Sequence, residues 1–218
     1  MTLATTTPLN ESIAPWAHVP GVAGPWRLTV DRYLGLVKSG FFTNQDRVIL
    51  WEGQLVEKMV KHRPHVVVTL RIADALRPLV AGVGYIEQEA PVRLRHRDDT
   101  LPEPDLKVVR GRDTDYPAEP PADAVPLVIE VADSSLAPDR NEVLKKYAIE
   151  AVPTYWIANI PLRRIEVYTE PSGPSESPGY GSMAIYTRGQ AVPVVVDGNQ
   201  VGDVAVSAVF GEDDPWLR

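Results

Sequence analysis

The sequence predicts a single α/β domain, in which a central mixed β-sheet is flanked by helices and followed by a β-rich C-terminal appendage. Two apolar runs with strand composition, at 101–109 and 125–132, indicate the centre of the sheet. The segment 64–80 carries apolar residues such as Ile72 and Leu76 at helical spacing, which predicts a long helix packed on that sheet. With 218 residues, of which 44% are hydrophobic, the chain is long enough for one sizeable core and short for two.

The boundaries of the domain follow from composition. Residues 1–25 are rich in Thr, Pro, Ala and Gly, which predicts a flexible N-terminal arm. We expect one folded domain over residues 26–210 and a short tail over 211–218.

Local signals predict the remaining elements in order. Thr29 is a candidate N-cap for a first helix that ends near Gly40. Alternating residues over 47–59, on either side of Glu52 and Gly53, predict a β-hairpin. Alternation or apolar composition predicts further strands at 85–94, 155–159, 165–168, 184–186, 192–196 and 201–206.

The C-terminal strands form the predicted appendage. Asp197, Gly198 and Asn199 are a strong turn signal between the last two of these strands. We expect this appendage to cover a sheet edge or to contact another subunit.

Two acidic residues are unusual for their positions in the predicted strands. Asp105 lies early in one apolar run, and Glu130 interrupts the other. A carboxylate in a strand that is otherwise buried costs free energy unless it is paired, protonated or bound to a metal. If the two strands are neighbours, a hard divalent cation such as Mg²⁺ would allow both carboxylates to stay ionised in one pocket.

A lysine follows in the next predicted helix. The segment 139–152 places Val143, Lys146 and Tyr147 on one helical face, and a lysine on this face could point back at the carboxylates. Two strand acids and a nearby lysine form the constellation of PD-(D/E)XK nucleases. In that constellation the carboxylates hold the metal, and the lysine positions or activates the attacking water.

The chain resembles the Uma family of restriction-endonuclease-like proteins, which belongs to the PD-(D/E)XK superfamily. The resemblance rests on EPDL around Asp105, IEVADSS around Glu130, the helix at 139–147 and VPTYWI at 152–157. It extends upstream to WEGQLVEKM at 51–59 with His65, and downstream to RIEVYTEPSGP at 164–174.

The resemblance implies a restriction-endonuclease-like fold and a Mg²⁺ or Mn²⁺ cofactor held by Asp105 and Glu130. It also implies that an acid from the hairpin region, here Glu52, approaches the metal. His65, at the start of the long predicted helix, is a candidate accessory residue, either beside the metal site or as a phosphate contact. The alternative for His65 is an ordinary exposed histidine near a helix cap.

The sequence departs from the family pattern at the lysine. In that pattern a lysine follows the aspartate at position 139 by four residues, and Val143 stands there in this chain. Lys146 shares a helical face with Val143 and could reach the same pocket through its long stem. Lys145 is the weaker candidate, because it points about 100° away from Lys146 around the helix.

Composition limits the other possibilities. The chain has 22 basic and 29 acidic residues, a net charge of −7, which is not typical of a protein that grips nucleic acid over a broad face. It has no cysteine, so disulfides and thiolate metal sites are excluded. Because no signal-like or membrane-spanning apolar run occurs, we expect a cytoplasmic protein.

Three functions are consistent with these observations. The leading hypothesis is a metal-dependent endonuclease that acts on DNA as a homodimer, with Asp105, Glu130 and Lys146, or else Lys145, in its active site. The alternative favoured by Val143 is a catalytically degenerate nuclease fold that only binds. A third possibility is a metal-dependent hydrolase of a small phosphorylated substrate, which the net acidity would tolerate better than duplex binding.

Overall fold

The structure is a computed structural model that describes residues 20–21, 24–43, 45–212 and 214–215. Most of the predicted N-terminal arm, residues 1–19, lies outside the described residues. No helix within the described ranges is long and apolar enough to cross a membrane.

The N-terminal elements form where the local signals predicted them. Helix α1 (Val30–Lys38) begins after Thr29, whose side chain accepts a hydrogen bond from a backbone N–H of the first turn. Strands β1 (Val48–Trp51) and β2 (Gln54–Glu57) form the predicted hairpin. Its two turn residues, Glu52 and Gly53, have φ of 48° and 76°, as the tight two-residue hairpin turn requires.

Helix α2 (Arg63–Val80) then leads into the central sheet. The sheet contains six strands, and their spatial order is their order in the chain. They are β3 (Gly84–Gln88), β4 (Leu106–Arg110), β5 (Leu127–Ala132), β6 (Thr154–Asn159), β7 (Arg164–Pro171) and β8 (Tyr180–Tyr186). Strands β5 and β6 are parallel, and the other neighbouring pairs are antiparallel. The predicted mixed sheet flanked by helices is therefore confirmed.

Some predicted boundaries differ from the observed ones. Strand β3 ends six residues before the predicted strand did, and 89–105 is irregular apart from an isolated bridge at Arg93. The chain leaves the sheet here because of contacts with Lys107. The buried ammonium of Lys107 donates hydrogen bonds to the carbonyl oxygens of Ala90 and Pro91 at 2.8 and 2.7 Å. These side-chain contacts satisfy backbone groups that a strand would have paired with its neighbour.

The predicted C-terminal appendage is only partly separate from the sheet. Strand β8 pairs with β7 and forms an edge of the sheet. Strands β9 (Ala191–Val196) and β10 (Asn199–Ala205) form a hairpin around the predicted turn, followed by a short helix α5 (Val206–Val209). This hairpin packs on the main core. Its valines alternate along the strand, so that Val192, Val194 and Val204 enter the main core.

Two cores cover the two faces of the sheet. On one face, Ile72 and Leu76 of α2 pack with Ile129 and Trp156 of the sheet and with the β9–β10 hairpin. On the other face, Tyr155 and neighbouring strand residues pack against the segment that connects β5 and β6. Successive residues of a strand point to opposite faces, and Ile129 points to the first face. Glu130 therefore points to the second face, the one that the connecting segment covers.

A buried acid on β7, Glu166, links the connecting segment to the sheet through its hydrogen bonds. The Glu166 carboxylate is fully buried and accepts hydrogen bonds from Arg140, Arg164, Asn159 and Tyr168. Burial alone would raise the pKa of Glu166, but these donors outweigh it and lower the pKa to about 2, from an ordinary value of 4.5.

The pKa of Glu166 predicts a pH-dependent contribution to stability. Because the folded-state pKa is depressed, the contribution is fully present above pH 4.5 and is lost as the pH falls toward 2. Glu166→Gln should lower the free energy of unfolding by about 3 kcal/mol at pH 7, and the difference from wild type should shrink toward zero near pH 2. Urea denaturation at several pH values measures this. Glu176→Gln, at an exposed loop position, is the control. A difference for Glu166→Gln that did not change with pH would contradict the assignment.

Candidate functional site

Asp105 and Glu130 lie together, as predicted from the sequence. Strands β4 and β5 are antiparallel neighbours in which Leu106 pairs with Ile129, so that Asp105 stands opposite Glu130. Both residues line a cavity of about 300 Å³ between this end of the sheet and the start of α2. Asp105, one residue before β4, and Glu130 in β5 therefore lie on one face of the sheet.

The carboxylate of Asp105 contacts three polar groups in this cavity. Its Oδ2 accepts a hydrogen bond from the backbone N–H of Val131 at 2.7 Å and lies 3.0 Å from Nε2 of His65. Its Oδ1 lies 2.5 Å from the ammonium of Lys61. Burial would raise the pKa of Asp105, but His65 and Lys61 outweigh it and lower the pKa. Asp105 is therefore held as a carboxylate.

The charged form of Glu130 is stabilised much less than that of Asp105. Its Oε2 accepts a long hydrogen bond, 3.3 Å, from the backbone N–H of Asp105. Burial raises the pKa of Glu130 well above its ordinary value, and the negative charges of Asp105 and Asp139 raise it further. A bound cation would remove this penalty on the carboxylate.

Asp139 is a third acid in the cavity that the sequence analysis did not identify. It begins the π-helical residues Asp139–Val143, which lie between two α-helical pieces, α3 (Leu136–Pro138) and α4 (Leu144–Ile149). Its carboxylate accepts a hydrogen bond of 2.6 Å from the hydroxyl of Ser135. Burial, with a contribution from the charge of Asp105, raises the pKa of Asp139 to about 6.

The two basic side chains that contact Asp105 come from the start of α2 and from the segment before it. His65 is buried at the start of this helix, where its Nε2 contacts Asp105. Lys61 is not part of any motif recognised in the sequence. Its ammonium lies between Asp105 and Glu89, 3.1 Å from the latter.

Lys146 does not contact Asp105 or Glu130 in the structure. Its buried ammonium binds the carboxylate of Glu52 and lies 5.3 Å from the centre of the Trp51 ring. The prediction had assumed α-helical spacing from Asp139 onward. Because the segment from Asp139 is π-helical, the residues that follow are rotated, and Lys146 reaches the β1–β2 hairpin.

The remaining candidates also lie outside the residues that line the cavity. Glu52 is at the tip of the hairpin, where Lys146 binds it and Arg97 is 3.8 Å away. The hydrogen bond from Lys146 lowers the pKa of Glu52. Lys145 is half exposed and forms an ion pair of 3.6 Å with Glu142. The structure therefore brings neither Glu52 nor Lys145 to the Asp105–Glu130 pair.

The donors of the cavity fit a hard divalent cation in their chemistry. Asp105, Glu130 and Asp139 offer carboxylate oxygens, the ligands that Mg²⁺ and Mn²⁺ prefer. Burial, together with neighbouring negative charge, raises the pKa values of Glu130 and Asp139, and such a cation would stabilise their charged forms. Among the described residues, no three His, Asp or Glu side chains already stand in a metal-binding arrangement. Lys61 and His65 hold the oxygens of Asp105 instead.

The comparisons with known proteins agree with this geometry. Residues 30–196 match the Uma2 family, described as "Putative restriction endonuclease", and the chain belongs to that family. A solved structure, described as a putative nuclease belonging to DUF820 from Anabaena variabilis ATCC 29413, has a similar fold with a TM-score of 0.60 at 15% identity. The match covers 88% of this chain and 99% of that one. No curated protein matches the chain in sequence.

Proposed function

We propose that this protein is a divalent-metal-dependent endonuclease that hydrolyses phosphodiester bonds of DNA. The observation that carries the proposal is the pair of carboxylates, Asp105 and Glu130, on neighbouring strands in one cavity. The pair adjoins a histidine and a lysine that contact Asp105. Membership of the Uma2 family and the fold shared with a structure described as a putative nuclease support it.

Each group would have a defined role in this activity. Asp105 and Glu130, with Asp139 as a further donor, would hold Mg²⁺ or Mn²⁺. The cation supplies Lewis-acid stabilisation of the charge that develops on the phosphate. His65 would orient Asp105 through the 3.0 Å contact between Nε2 and Oδ2. A two-fold homodimer would present two such sites to the two strands of a duplex.

A non-catalytic binding module is the second candidate function. Two observations favour it: Val143 occupies the position where the family pattern has a lysine, and Lys146 is bound to Glu52 away from the cavity. A protein of this kind would retain DNA binding without hydrolysis.

A cleavage assay separates the two functions. We expect the purified protein to nick or linearise plasmid DNA in the presence of Mg²⁺ or Mn²⁺, and EDTA to abolish the reaction, because Asp105 and Glu130 alone only repel a phosphate. Single-stranded DNA tests the preference for duplex. DNA that is bound but stays intact with either metal would favour the binding module. Cleavage undiminished by EDTA would contradict the metal-dependent mechanism.

A further inference from the structure

Two lysines line the cavity, and they differ in what they hold. Lys58 binds Glu103 at 2.5 Å, at the rim of the cavity. Lys61 instead binds Asp105 at 2.5 Å. The ammonium of Lys61 therefore lies at the acid pair itself, because the backbone N–H of Asp105 donates a hydrogen bond to Glu130.

Lys61 is also placed between these acids and the solvent. It lies in the irregular segment between β2 and α2, and its side chain is 19% exposed, whereas that of Asp105 is 9% exposed. A phosphodiester that approaches Asp105 and Glu130 through the opening meets a site that is otherwise rich in negative charge. A lysine ammonium at this opening is the group that can offset the charge of the phosphate.

The contact with Asp105 creates a competition. The ammonium of Lys61 donates a hydrogen bond of 2.5 Å to Oδ1 of Asp105, a residue that lines the cavity in which the cation would bind. An oxygen that is held so closely by Lys61 is less available to a metal. A bound metal would in turn leave the ammonium without its strongest partner, on a flexible stem beside the opening.

We propose that Lys61 is the active-site lysine of this chain: it holds Asp105 in the free protein and binds the phosphate of the nucleic acid in the loaded protein. This inference rests on the proposed function. It assigns to a residue before α2 the part that the sequence pattern had assigned to Lys146 in α4.

The test compares Lys61→Met with the matched variant Lys58→Met, three residues away on the same segment. Three quantities are measured: Mn²⁺ affinity without DNA by calorimetry, affinity for a labelled duplex in Ca²⁺, and the single-turnover cleavage rate in Mg²⁺. For Lys61→Met we expect Mn²⁺ to bind several-fold more tightly, because its competitor at Asp105 is gone. We expect the duplex to bind about tenfold more weakly and cleavage to slow about 100-fold.

One further variant, together with the matched control, completes the comparison. Lys61→Arg should restore part of the duplex affinity, since it keeps the positive charge, and Lys58→Met should stay within about threefold of wild type in all three measurements. A purely structural role for Lys61 would alter the unfolding midpoint without tightening Mn²⁺ binding.

The possible failures are distinguishable. If wild type cleaves and Lys61→Met cleaves at a similar rate, the Lys61 assignment is overturned and the nuclease function stands. Loss of cleavage in Lys146→Met alone would return the role to Lys146. If wild type binds the duplex without cleaving it, the nuclease function fails, and the duplex affinity of Lys61→Met decides the Lys61 assignment. A wild-type protein that neither binds nor cleaves DNA overturns both.

Discussion

Replacing Glu130 by glutamine is expected to lower the rate of DNA cleavage about 1000-fold, because the neutral amide cannot help to hold a divalent cation. The same substitution should not weaken the fold in the absence of metal. Glutamine has the shape of a protonated glutamate, and burial together with Asp105 and Asp139 raises the pKa of Glu130 and so favours the protonated form. Activity and stability should thus respond in opposite ways.

The sign of the stability effect follows from the raised pKa. Between the unfolded-state pKa and the higher folded-state pKa, the folded protein binds more protons, so the stability of wild type falls as the pH rises. Glu130→Gln carries no such titration, and its unfolding midpoint without metal should equal or exceed that of wild type at pH 7. Thermal unfolding with and without Mn²⁺ measures both effects. Mn²⁺ should stabilise wild type and leave the variant unchanged.

Glu142→Gln is the control for this substitution. Glu142 is exposed and lies on the neighbouring helical segment, where it pairs with Lys145. Its replacement should leave cleavage and Mn²⁺ stabilisation within about twofold of wild type. Cleavage by Glu130→Gln within tenfold of wild type would show that Glu130 is not a metal ligand.

Trp156→Ala is expected to cause the largest loss of stability, about 3–5 kcal/mol. Trp156 is fully buried in β6, between Ile129 of β5 and Val167 of β7. Its indole N–H has no hydrogen-bond partner among the described residues, so the loss is one of packing. Trp156→Phe should cost much less, since it leaves a smaller cavity and breaks no hydrogen bond.

Urea denaturation measures both variants, and Trp26→Ala serves as a control. Trp26 is 71% exposed, and its replacement should change the free energy of unfolding by no more than about 0.5 kcal/mol. If Trp156→Ala lowered the free energy of unfolding by less than about 1 kcal/mol, packing around Trp156 would not be what stabilises strands β5 and β6.

The acidic pair could be predicted from the sequence because strand geometry is regular. An acid inside an apolar run, as Glu130 is, has few stable explanations, and the alternation of side chains fixes the face to which it points. The two hairpin turns were predictable for a similar reason. Glu52 with Gly53, and Asp197 with Gly198, adopt the positive φ that glycine and aspartate tolerate best.

The role of Lys61 in the site could not be predicted from the spacing of residues in the sequence. Lys61 lies in irregular chain, where no periodicity indicates the direction of a side chain, and it meets Asp105 across 44 positions of sequence. Lys146 was misplaced because of an irregularity in the helix that carries it. The π-helical residues Asp139–Val143 break the 100° rotation per residue on which a helical-face argument depends, and the sequence carries no strong signal for such a segment.

The central claim is that Asp105 and Glu130 together hold one divalent cation. Anomalous diffraction from crystals of the protein grown with Mn²⁺ tests it most directly, because the signal locates the metal itself. We expect a strong peak in the cavity, about 2 Å from a carboxylate oxygen of each residue. A peak that lay elsewhere, or a cavity without one at saturating Mn²⁺, would contradict it.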